Sequence, residues 1–168
     1  MQRGFALPEV LVAALVLALL AGMATHSGAE TLARQRLEAA ARRLVHGLEL
    51  ARADAQRQGR ACGLALGPTG WEAPRAGDLP ACSATDEGLQ EAVGAGAVAL
   101  HHNLPAVLRF STNGLVLDGG TVVLTAPGTA LRRCLVMALP LGVVRLGRYA
   151  NPPELSLDAS ACGVDASL

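Results

Sequence analysis

The sequence contains no lysine; all 14 of its basic residues are arginine, and 14 acids balance them. With no net charge at neutral pH, no global basic field points to nucleic acid or to an anionic membrane surface. Aromatics are nearly absent. Phe5, Trp71, Phe110 and Tyr149 are too few and too scattered to make a stacking platform for single-stranded nucleic acid. The four cysteines, Cys62, Cys82, Cys134 and Cys162, never approach the spacing of a zinc knuckle, and the His101-His102 pair has no third ligand, so no metal site is expected. There is no phosphate-binding glycine motif, since the 19 glycines scatter at turns. His26, His46, His101 and His102 lack a local nucleophile partner and read as ordinary surface or core histidines. No catalytic residue and no cofactor are expected, and the chain does not read as an enzyme.

What the chain does have is one long apolar run. From Phe5 to Ala24 every residue is apolar except Glu9. At 1.5 Å per residue such a run spans about 30 Å, the thickness of a bilayer's hydrocarbon core. A carboxylate inside a membrane helix costs roughly 2.5–3.5 kcal/mol at the centre, so Glu9 needs a reason. One reason is position, because an acid near the helix start reaches the headgroups and suits the positive end of the helix dipole. Arg3 supplies the cytoplasmic charge that orients the segment. Processing by signal peptidase near Ala21 to Ala29 stays open as an alternative.

Gly4-Phe5, followed by Ala6, Leu7, Pro8, Glu9 and an unbroken Val/Leu/Ala run, resembles the processing site of type IV prepilins and type II secretion pseudopilins. The resemblance implies cleavage between Gly4 and Phe5 by prepilin peptidase and methylation of the new terminal Phe5. It also implies that Glu9, fifth in the mature chain, meets the terminal amine of a neighbouring subunit on assembly. That matches the rule that buried charges persist when paired. Pro8 stands where many relatives carry isoleucine, and is tolerated because the first turn of a helix leaves its N–H groups without acceptors.

Beyond Ala24, Leu37, Ala41, Leu44, Leu48, Ala51 and Ala55 recur at spacings of three and four, the stripe of an amphipathic helix that continues the first. The intervening arginines and acids read as a solvated face rather than a nucleic-acid patch, with Glu38 and Arg42 as an i,i+4 pair. Gly59 is the expected stop. The segment Leu48 to Gln58 is similar to the end of this helix in the GspH/FimT branch of the pilin superfamily, and Gly70-Trp71 resembles that branch's Gly-Trp pair.

Past Gly59 short strands are expected at Cys62–Leu66, Ala97–His101, Val107–Ser111, Gly114–Leu117, Thr121–Thr125, Arg132–Leu139 and Val143–Tyr149, separated by turns such as Asn113-Gly114 and Asp118-Gly119-Gly120. Pro74 to Gly94 lacks periodicity and reads as a long loop. An even number of cysteines in an oxidising compartment suggests two disulfides with three possible connectivities, of which the sequential pairing Cys62–Cys82 and Cys134–Cys162 is preferred. The expected class is α+β: a long N-terminal helix packed on antiparallel sheet. The expected divisions are a leader at 1–4, a membrane and assembly helix at 5–25, its amphipathic continuation at 26–59 and a periplasmic β-rich domain at 60–168.

Val107 to Gly114 resembles the branch's strand and turn with Phe110 as core aromatic, and Arg132 to Arg148 resembles its closing hairpin. The resemblance implies a minor pilin or pseudopilin, single-pass in the bacterial inner membrane. Its partners would be other pilins or pseudopilins, prepilin peptidase and the inner-membrane assembly platform. A second function follows from the FimT type, in which a GRxR segment is associated with DNA capture. Here Gly142-Val143-Val144-Arg145 keeps the glycine and second arginine but has Val143 in place of the first. Arg132, Arg133, Arg145 and Arg148 are the candidate DNA contacts, by phosphate neutralisation. The chemistry-free alternative is an edge strand protected by charge.

Overall fold

Apolar residues at helical spacing and the absence of any glycine–proline break carry a single helix across most of the first third of the chain. In the computed structural model α1 covers Leu7–Gln58, 52 residues, about 78 Å at the helical rise. The structure describes residues 7–68, 70–75, 77–82, 98–139, 142–153 and 156–165, without the side chains of 20–27. Gly59 ends α1 with φ +60, a conformation glycine adopts without penalty, and its N–H closes the last turn on the Gln56 carbonyl at 3.3 Å.

Two antiparallel sheets follow. β1 (Cys62–Gly67), β2 (Gly70–Glu72) and β4 (Leu108–Phe110) form the first in the order β2-β1-β4. β3 (Ala99–His102), β5 (Gly120–Thr125), β6 (Arg132–Ala138), β7 (Val143–Tyr149) and β8 (Cys162–Val164) form the second in the order β3-β5-β6-β7-β8. This is the α+β, pilin-like arrangement expected from the sequence. Two details differ. Gly114 to Leu117 is not a strand; only Val116 bridges to Phe110, because the Ser111–Gly114 turn, with Gly114 at φ +71, brings back too short a segment for a ladder. β2 and β8, three residues each, were not expected, since so short a run shows no period. Of the long loop, the described residues 74, 75 and 77–82 carry no strand beyond a bridge from Ala81 to Gly63, and 83–94 lie outside the described residues.

The main core lies between α1 and the inner faces of both sheets. Leu37, Ala41, Leu44, Leu48, Ala51 and Ala55 are buried there against Leu64, Trp71, Phe110, Val122, Leu135 and Met137. The Trp71 indole N–H donates to the Leu44 carbonyl at 2.9 Å, so the polar edge of the largest side chain is satisfied inside the core. A second, smaller core sits on the other face of the five-stranded sheet, where Val123, Cys134, Val136, Tyr149 and Cys162 are covered by Leu157 and Ala161. Both disulfides form, in the sequential pairing. Cys62–Cys82 ties β1 to the following loop, and Cys134–Cys162 ties β6 across β7 to β8.

Candidate assembly surface

The two halves of α1 meet different surroundings. Between Ala33 and Ala55 the apolar stripe is covered by sheet, while Leu7, Val10, Leu11, Val12, Leu15, Val16, Leu17 and Leu19 are each 47–77 % exposed. Contiguous apolar patches of this kind on a single chain mark a membrane or protein contact. Glu9 is exposed in the first described turn, on the same bare segment. Gly4 and Phe5, the expected cleavage and methylation positions, lie outside the described residues. Among the described residues no helix is long and apolar enough to cross a membrane.

The four arginines considered as DNA contacts are divided between the two faces of the five-stranded sheet. In the β6–β7 ladder Arg133 pairs with Arg148 and Val136 with Arg145, and side chains alternate between faces along each strand. Arg133 and Arg148 therefore lie on the face turned to α1, whereas Arg132 and Arg145 lie on the opposite face. Arg133 is buried and ion-paired to Glu38 of α1 and, at 2.6 Å, to Asp165 beyond β8. Burial opposes its charge, but the hydrogen bonds to Glu38 and Asp165 outweigh that cost and raise its pKa. It is a structural cation rather than a phosphate contact. Arg132 is half-buried and donates to the Ala150 carbonyl at 3.4 Å. Arg145 and Arg148 are exposed.

Glu38 thus turns from the expected helical partner Arg42 to Arg133 across the core boundary, and α1 forms an i,i+4 ion pair of Glu30 with Arg34 at 2.7 Å. Asp165 had no signal in the sequence, because its role depends on β8 carrying it back to β6. A second fixed pair joins Arg109 to Asp118 in a bidentate contact, with nitrogen–oxygen distances of 3.0 and 2.7 Å. The hydrogen bond from Arg109 holds the Asp118 carboxyl below its ordinary range. Among the described residues no group of histidine, cysteine and carboxylate side chains is arranged to hold a metal.

A single helix, half covered by antiparallel sheet and half bare and apolar, defines a pilin-like subunit. The family model for the type II transport protein GspH matches residues 40–140, more than half of the chain, and the prokaryotic N-terminal methylation motif matches residues 1–25. The chain belongs to the GspH family. It is a pseudopilin-type minor subunit with the N-terminal motif of proteins processed by prepilin peptidase, from a family of structural subunits anchored in the inner membrane and assembled into a pseudopilus. No curated protein and no solved structure matches it.

Proposed function

We propose that the chain is a minor subunit of a type II secretion pseudopilus, held by a single membrane pass and inserted near the filament tip by lateral packing of its N-terminal helix. The observation that carries this reading is the continuity of α1: the domain end is fastened to two sheets, while Leu7–Leu19 stays exposed among the described residues. In this reading residues 1–4 are a leader removed before Phe5, Phe5 is methylated, residues 5–25 lie in the bilayer until assembly, 26–59 join them to the domain, and 60–168 face the periplasm. Glu9 sets axial register by meeting a neighbour's terminal amine. The energetic reason is that a carboxylate in an apolar helix is costly alone and stable when paired.

Mass spectrometry of the mature protein should find N-methylated Phe5. Retained Met1, or a terminus near Ala24, would refute the processing. Glu9→Ala should leave cleavage intact and prevent recovery of the subunit in sheared pseudopili; normal recovery would remove the register role. For DNA capture, Arg133 is buried and ion-paired, and of the other three only Arg132 and Arg148 line one groove.

A further inference from the structure

β8 is an edge strand: β7 lies on one side of it and no described strand on the other. The register pairs Gly147 with Val164, Arg148 with Gly163 and Tyr149 with Cys162. In line with it, Ala150 N–H donates to the Ala161 carbonyl at 3.0 Å. Antiparallel ladders alternate bonded and non-bonded pairs, so Arg148 and Gly163 exchange the ladder bonds, while the N–H and C=O of Val164 point away from β7. The Val164 side chain is 81 % exposed. Beside this edge opens a groove of about 580 Å³ lined by Arg132, Arg148, Tyr149, Ala150, Gly163 and Val164. Among the described residues Arg132 makes only the 3.4 Å contact to Ala150, and Arg148 has no acidic partner.

We propose that this groove binds an extended acidic segment of a partner polypeptide, which adds as a strand to the free edge of β8 and places its carboxylates on Arg132 and Arg148. Three features select this occupant. The outward amide and carbonyl of Val164 match a peptide backbone and have no counterpart in a phosphodiester. Two guanidiniums in the groove wall, Arg132 from β6 and Arg148 from β7, favour negative charge. Asp165, also in the wall, is already paired with Arg133, and Arg145 does not line the groove, so two cations are left there, enough for a pair of carboxylates and few for the continuous charge of a nucleic acid. Edges left open in this way are templates for strand addition, and this one has neither a lysine nor a proline to block it. The inference does not depend on the assembly reading, because it concerns a surface of the domain and not of the bare helix.

The test uses the full chain in detergent and a fluorescein-labelled octapeptide of paired glutamates and paired threonines, in which neighbouring glutamates point to opposite faces of the added strand and so reach both arginines. Fluorescence anisotropy should show saturable binding, weakened about tenfold by Arg132→Gln with Arg148→Gln, two surface ion pairs, one of them half-buried, being worth about that much. Val164→Pro removes the outward N–H and leaves the bonds to β7, so binding should fall about fivefold. Val164→Ala, which keeps the amide, should stay within about twofold of the parent. On the parent protein, hydrogen exchange at the Val164 amide should slow when peptide is added, a readout that does not require the proline variant to fold. The proposal is overturned by absence of binding, by equal binding of a control octapeptide with lysine in place of every glutamate, by an unprotected Val164 amide at saturation, or by tighter binding of an eight-nucleotide single-stranded DNA that competes at the same arginines.

Discussion

Residues 7–19 and 33–55 of α1 are both rich in leucine and alanine and belong to one uninterrupted helix, yet one is bare and the other buried along a stripe. The difference lies in what separates the apolar positions. In the second half arginines and acids stand between Leu37, Leu44 and Leu48, so a single face is left to cover, and two sheets cover it. In the first half leucine and valine occupy every side of the helix apart from Glu9, so no one sheet could cover it and its surroundings must be apolar all round. Secondary structure is therefore the same in both, and polarity alone divides the half that joins the core from the half that stays exposed, the half proposed for assembly.

The strongest way to break this contrast is to attack the join between helix and sheet. Arg133→Ala would leave Glu38 and Asp165 facing each other without their cation, and removing one member of such a partly buried set should cost about 3 kcal/mol. Urea denaturation of the full chain in detergent, followed by Trp71 fluorescence, measures it. A loss under about 1 kcal/mol would show that the cluster is solvated and that the sheet is held by apolar contact alone. A somewhat smaller effect should come from Leu44→Ala, which empties fully buried volume beneath Trp71 and should cost about 2–3 kcal/mol, whereas Leu15→Ala on the bare half should change domain stability by less than about 0.5 kcal/mol. Equal effects at the two positions would mean that the bare half packs on the domain.

The extent of α1 and the strands from β5 to β7 were legible because each rests on a local pattern, helical spacing or β-branched runs between glycine turns, whereas the cysteine count left three pairings open and the sequential one was only a preference. Phe110, fully buried, was legible as the core aromatic through the resemblance of Val107 to Gly114 to the branch's strand and turn. What escaped depends on distance in sequence. Glu38, Arg133 and Asp165 meet only after β8 has been placed, and β8 itself is three residues long. The division of the arginines could have been read, since Arg145 and Arg148 are separated by three and an odd step along a strand changes face. Similarity to a closing hairpin in which arginines act together obscured that parity.

A smaller effect sharpens the comparison from the domain side. Asp118 is held below its ordinary range chiefly by the hydrogen bond from Arg109, against the opposing cost of burial. A carboxylate whose folded pKa lies below its unfolded value contributes stability that is fully present above the unfolded pKa, about 3.9, and is lost as pH falls through the folded one. Acid titration of domain stability should therefore show a decline below about pH 4 that is shallower in Asp118→Asn than in the parent. The bare half of α1 takes no part in that pair, so Leu15→Ala should leave the acid limb of the curve unchanged. If Leu15→Ala flattened that limb as Asp118→Asn does, the two halves of the helix would be energetically coupled, and the assignment of one to folding and the other to assembly would fail.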